Sequence, residues 1–294
     1  MLYRESVSRK VFLVFNTVLL GVLALSCLLP MINVLAVSFS SSAAAQGGFV
    51  KLWPVDFNVA SYEYALGRPQ FLTSMGVSIQ RIVLGAGLNM LLTILAAYPL
   101  SKDNRKFRAR TAYSWFFVTT MLISGGLIPS FMLISKLKLM DTIWALVLPG
   151  AVPVFNLILL INFFRQLPIE LEEAAHVDGA SHWTILWKIY VPTSTPALAT
   201  LTLFVLVSHW NSWFDGLLFM NSPTKYPLQS YLQTVIVQRD TTAVSMQEFK
   251  DLALLSDRTV KAAQVFMGAM PILLFYPFLQ KYFVTGIVMG SVKG

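Results

Sequence analysis

A chain of 294 residues that is 56% hydrophobic and 12% charged departs from soluble globular proteins, in which about 25% of residues carry charge. Its net charge of +8 would raise the question of nucleic acid in a soluble chain, but here the basic residues sit mostly between apolar runs, as topology signals do. One cysteine, Cys27, excludes an intrachain disulfide framework and a metal site built on cysteines.

The first apolar run spans about residues 11–37 and follows Arg4, Arg9 and Lys10. Ala43-Ala44-Ala45 could serve as a cleavage site, but a signal h-region is about 7–15 residues and this run exceeds the roughly 20 that cross a bilayer. A retained transmembrane helix is expected. In the polar stretch Ser38 to Gln70, Asn58 is placed to cap a short surface helix through Tyr64. A second span covers 71–100 and a third 111–134, separated by Lys102, Arg105, Lys106, Arg108 and Arg110. The next short loop holds only Lys136 and Lys138. This asymmetry, with three basic residues before the first span, predicts a cytoplasmic N-terminus.

Pro149 and Pro153 lie inside the fourth span, 142–164, which should therefore be kinked or broken. Alternation then places residues 165–193 in the cytoplasm. A fifth span follows at 195–220, an outer loop at Asn221 to Val260 and a sixth span at 262–284. The tail with Lys281 and Lys293 returns to the cytoplasm. The expected architecture is an all-α polytopic membrane protein: one domain over 1–294, six transmembrane helices and both termini cytoplasmic.

Residues 165–193 are too polar for lipid yet helical in pattern. Pro168 suits a helix start, and Glu170, Glu172 and Glu173 complement the positive end of its dipole. Gly179 is placed to end that helix in a left-handed cap, and Ser181 to cap a second helix. Trp183, Leu186, Trp187 and Tyr190 recur on one face of the second helix, and Pro192 should stop it.

Glu173-Ala174-Ala175, three residues, Gly179, nine residues, then Ile189-Tyr190-Val191-Pro192 resembles the EAA signature of ABC-importer permeases. Val191 stands where that signature carries leucine. Ala96–Lys102, Trp210–Gly216 and the terminal GSVKG are similar to maltose-type sugar permeases, in the same order around the signature.

The resemblance implies an inner-membrane subunit that forms a translocation path with a second homologous permease. Two copies of a cytoplasmic ATPase would bind the EAA loops, and an extracytoplasmic solute-binding protein would deliver a sugar or oligosaccharide. ATP and Mg would be used by the ATPase, and no cofactor is expected on this chain. Residues expected to couple to the ATPase are Glu172, Glu173, Ala174, Ala175, Asp178, Gly179, Ile189 and Pro192.

No phosphate-cradling Gly-x4-Gly-Lys loop, nucleophile elbow or zinc-protease motif is present, so no catalytic residue is assigned. His176 and His182 lack a third ligand at zinc spacing, so no metal site is expected. Polar groups at membrane depth mark the path instead. They are Arg81, Asn156, His209, Asn211 and Asp215, joined by Trp210 and Trp213, whose flat faces suit sugar rings. Gln80 and Asn89 also fall within the second span.

Two roles are open to Arg81. Paired with Asp215 it is structural; unpaired, it faces the path and implies an anionic substrate such as an alginate or pectin fragment. An ion-gradient-driven secondary transporter is the rival reading, for which inverted repeats would be expected.

Overall fold

The computed structural model describes residues 7–237 and 256–291, with side chains for 7–235 and 256–274. The N-terminal Arg4, the middle of the expected outer loop, the side chain of Lys281, and Lys293 with the end of the GSVKG motif lie outside the described residues. Among the described residues the chain is mostly helical and has no strand. It falls into two compact units: residues 1–69 with 234–270, and residues 70–233 with 271–294.

In the first unit, α1 (Val7–Ser38) runs the length expected of a membrane span, and its most apolar window buries none of its residues within the chain. A helix that exposes Phe12, Phe15, Leu19 and Leu23 all along its length belongs in lipid or against another helix. Its C-terminal end packs Ala36 and Val37 against Ala44, Ala45 and Val50 from α2 (Ser42–Gln46) and the segment after it. Arg258 ties in by donating to the Ala45 carbonyl at 3.0 Å. The short helix α3 (Ala60–Leu66) is not capped by Asn58: Val59 occupies the N-cap, and the backbone N–H of Asn58 instead bonds the Phe39 carbonyl at 2.9 Å.

The second unit is organised by α4, Pro69–Ser101, an unbroken 33-residue helix. Every third or fourth residue along one side is small or polar and buried: Ser74, Ser78, Arg81, Gly85, Asn89, Thr93, Ala97. Small residues let helices approach closely where lipid offers no hydrophobic drive for association.

The elements facing this seam are interrupted. The third expected span is two helices, α5 (Arg110–Leu122) and α6 (Leu127–Lys136), bent by 113°. One span was expected there; the ladder of α5 stops at Leu122, and Gly126, at φ +83°, stands at the N-cap of α6 in a conformation that favours glycine. The fourth is α7 (Ile143–Val147), an irregular link through Pro149 and Pro153, and α8 (Val154–Gln166), so the proline break is present. In the region of the expected fifth span, α12 (Thr195–Asn211) ends at an extended Ser212 before the short helix α13 (Phe214–Phe219) begins, a break no proline or glycine announces.

Among the described residues two helices, α1 and α4, are by themselves long and apolar enough to cross a membrane. Beyond α14 (Leu228–Val237), helix α15 (Asp257–Ser291) contains the whole of the expected sixth span.

Candidate coupling loop and translocation cavity

Between α8 and α12 the chain forms α9 (Ile169–Val177), a bend, and α10 (His182–Ile185). A π-turn (Leu186–Tyr190) and the short α11 (Val191–Thr193) follow. Gly179 sits at φ +75°, with its N–H on the His176 carbonyl and the Ala180 N–H on the Ala175 carbonyl. This double bond pattern is the Schellman ending that the glycine predicts. Ser181 caps the second helix through the Thr184 N–H at 3.3 Å, also as expected.

Pro192 does not stop the helix where it stands. The preceding turn widens to π geometry, which accommodates a ring that would otherwise strike the carbonyl four residues back, and the chain turns at Ser194. The expected apolar face also divides. Leu186 and Tyr190 are buried, whereas Trp183 and Trp187 are exposed.

The loop is not a solvated appendage. Ile185, Leu186 and Tyr190 share one core with Ala97, Tyr98 and Leu100 of α4, Leu160 and Phe164 of α8, and Leu201 of α12. For groups at the water side, burying each of Ile185 and Leu186 contributes about 2 kcal/mol.

Within this core lies a carboxylate. Glu172, grouped by the sequence with ATPase-facing residues, turns inward and is 3% exposed. Its Oε2 accepts from Lys102 Nζ at 2.8 Å and from the Tyr190 hydroxyl at 2.7 Å, and its Oε1 from Lys106 Nζ at 3.3 Å. Lys102 also donates to the Tyr190 hydroxyl at 2.9 Å and lies over the Tyr98 and Tyr190 rings, closing a charged and aromatic knot. Burial alone would raise the Glu172 carboxyl. The hydrogen bonds from Lys102 and Tyr190 and the two lysine charges outweigh it and hold the group at about 2. Burial lowers Lys102 from the usual lysine range, partly offset by Glu172.

Glu173, Ala174, Asp178, Gly179 and Pro192 are exposed on the loop, while Ala175 and Ile189 are half-buried. The sequence pointed to the loop's punctuation but not to Lys102, Lys106 and Tyr190 as partners of Glu172. A carboxylate two residues before a helix's small-residue stretch carries no mark of where its countercharge lies.

The second site is a cavity of about 610 Å³ in the same unit, lined by residues of α4, the α7–α8 link, α12 and α13. Arg81 stands at its edge, 3% exposed, and its guanidinium is fully occupied. Nε donates to His209 Nδ1 at 3.4 Å; Nη1 donates to Asp215 Oδ1 at 3.1 Å and the Ser212 carbonyl at 3.3 Å. Nη2 pairs with Asp215 Oδ2 and the Leu146 carbonyl. A guanidinium has five N–H donors, and all five are engaged.

Two of the acceptors are backbone carbonyls at helix breaks, Leu146 near the end of α7 and Ser212 after α12. Irregular backbone is tolerated at membrane depth where its polar groups find protein partners. Gly85 completes the joint: a Cβ there would come within 2.5 Å of His209 Nε2.

Of the expected path residues, Arg81, Asn156, His209 and Asp215 line the cavity; Trp210, Asn211 and Trp213 do not. Trp210 is buried in packing, and Asn211 and Trp213 face outward. Asn89, Ser208 and Ser212 line it in addition. Gln80 points away from it and is exposed.

A helical chain carrying an EAA-type loop on the core of its spans, with a polar cavity further along the same long helix, is a transport permease. Residues 89–288 match the family described as "Binding-protein-dependent transport system inner membrane component", and the chain belongs to that family. It is 41% identical to Protein LplC of Bacillus subtilis (strain 168), over 97% of this chain and 96% of that one. It is 38% identical to the Polygalacturonan/rhamnogalacturonan transport system permease protein YtcP of the same organism, over 92% of this chain and 94% of that one. Among solved structures it superposes, with a TM-score of 0.88 and 36% identity, on a chain of a bacterial ABC transporter involved in the import of the acidic polysaccharide alginate. The match covers 95% of this chain and 99% of that chain.

Proposed function

We propose that this chain is the permease subunit of an ATP-driven importer of oligosaccharides, uronic-acid oligomers of the alginate or pectin type being the class to test first. The observation that carries the substrate class is the likeness over nearly the whole chain to a chain of an alginate importer and to a polygalacturonan/rhamnogalacturonan permease. In this reading six spans, with both termini in the cytoplasm, enclose half of a path whose other half comes from a second, homologous permease. An extracytoplasmic binding protein loads the path, and two ATPase subunits, using ATP and Mg, drive it.

The ATPases dock on the exposed strip of the loop formed by Glu173, Ala174, Asp178 and Gly179, flanked by the exposed Val177 and Trp183. Glu172 and Lys102 behind that strip make the loop one body with α4, so closing of the ATPases is transmitted to the cavity as a switch between two arrangements. Arg81 has no donor left for a substrate carboxylate, so the charge preference of this reading rests on the relatives and not on that residue.

Reconstitution of the chain with its partner permease, ATPase and binding protein tests the function. Uptake of oligogalacturonate or alginate oligosaccharide that requires ATP and the binding protein is expected. Uptake by the lone chain driven by an ion gradient would overturn the importer reading in favour of a secondary transporter.

A further inference from the structure

Asn89 carries an oddity. Its Nδ2 donates to the Gly150 carbonyl at 3.0 Å, which fixes the amide against the α7–α8 link. Its Oδ1 is buried with no partner in the chain, and the residue lines the cavity. On the same cavity the side chain of Asn156, also 5% exposed, makes no hydrogen bond among the described residues. Leaving a buried amide oxygen unmade costs about 1–3 kcal/mol, so Asn89 is a standing demand for a hydroxyl donor on this cavity, which the Asn156 amide also lines. The cavity lining also holds apolar and aromatic residues: Phe155, Phe204, Pro149 and Pro153. A volume of this order with a few convergent polar groups on apolar walls is the composition of a small-molecule site.

Resting on the permease reading above, we propose that Asn89 and Asn156 form a glycosyl-binding subsite on this subunit that reads sugar hydroxyls and not substrate charge. Asn89 supplies an acceptor whose direction is fixed by its own bond to Gly150. Asn156 supplies an amide with both donor and acceptor free, and a hydroxyl can serve both. Phe155 and Phe204 offer the surface for the CH faces of the ring. Arg81, the one cation lining the cavity, is fully engaged, so a carboxylate on the substrate finds no free cation here among the described residues.

The test uses the reconstituted complex with binding protein at saturation, and short oligogalacturonate or alginate oligosaccharide as probe. Asn89→Leu and Asn156→Leu should each lower uptake at least tenfold while assembling with the partners at wild-type yield. Thr93→Val is the control. It removes another unpartnered hydroxyl one turn along α4, outside the cavity, and should leave uptake within twofold.

A probe lacking single ring hydroxyls should lose rate on the wild-type complex and lose nothing further on the variant whose amide it addressed. Uptake within twofold in both asparagine variants overturns the subsite. So does an equal loss in Thr93→Val, or a deoxy probe whose penalty is the same in wild type and variants. Should the leucine variants fail to assemble, the deoxy series on Asn89→Ser and Asn156→Ser decides by the same criterion. A wild-type complex that carries neither probe with ATP overturns the oligosaccharide reading itself.

Discussion

Glu172 and Lys102 stand 70 positions apart in the chain and meet at 2.8 Å, with both side chains at or below 10% exposure. A buried pair of this kind is costly to break from one side, because the remaining charge stays buried without its partner. Glu172→Gln should therefore cost about 3 kcal/mol of local stability. It should appear as faster proteolysis or hydrogen exchange of residues 165–193 within an otherwise inserted complex. Lys102→Met alone should do the same, and the double variant should cost less than the sum of the two. Additive losses would show that the two residues do not act on each other.

The same carboxyl sets a pH window. Its folded value of about 2 lies below the ordinary 4.5, so the unfolded loop binds the proton more readily. The stabilisation is fully present above about pH 4.5 and is lost as pH falls from there towards 2. Protection of the loop should be flat between pH 5 and 8 and decay below. Decay beginning well above pH 5 would show that a group other than Glu172 sets the window.

Gly179 has open space around the position of a Cβ, so its requirement comes from backbone conformation alone. Gly179→Val forces a β-branched residue to a φ of +75°, at a cost of about 1–2 kcal/mol or more. Gly179→Asn, which tolerates that region, should cost less. The valine variant should insert and assemble but lose transport-coupled ATP hydrolysis, and full stimulation by loaded binding protein would refute the loop's coupling role.

Arg81→Gln should lower the complex's thermal stability and yield, because Asp215, His209 and two carbonyls lose their common donor. Arg81→Lys should rescue little, since an ammonium carries three donors and no planar fork. A glutamine variant that assembles fully and fails only on acidic sugars would mean that the ion pair opens in the working cycle.

How much of this was legible in the chain differs from place to place. Helix positions and the Gly179 ending followed from local chemistry, which is written in neighbouring residues. The breaks at Gly126 and Ser212 did not, because an apolar run hides where the ladder is interrupted once the freed carbonyl finds a partner far away in sequence, as Ser212 does in Arg81. The Arg81–Asp215 pairing was visible only as one of two options, since composition supplies candidates but not proximity. Trp210, Asn211 and Trp213 look alike in sequence to residues of a sugar path, yet Asn211 at the end of α12 and Trp213 after it are exposed and outside the cavity lining.

Topology can be measured directly. Ser230 is fully buried against the Trp213 carbonyl, so a cysteine there would report packing and not sidedness. Asn104 and Thr224 are exposed and suit the purpose. In a Cys27→Ser background, Thr224→Cys should react with an impermeant thiol reagent from outside and Asn104→Cys only after permeabilisation. Reaction of both from one side would refute the six-span arrangement.

Helix α4 carries Arg81, Asn89 and, just past its last residue, Lys102. Twenty-odd residues at 1.5 Å per residue make roughly 30 Å, about the thickness of the hydrocarbon core. The helix runs on without a bend over that length, Pro99 removing one ladder bond only near its last turn, while the pairs α5–α6, α7–α8 and α12–α13 in the same unit are jointed. A tilt applied at the Lys102 end therefore arrives at Asn89 and Arg81 as lateral travel, proportional to their distance from the pivot. Two loads on one lever arm move by different amounts: Arg81, further from Lys102, swings more than Asn89, so a single rotation reshapes the cavity instead of merely shifting it.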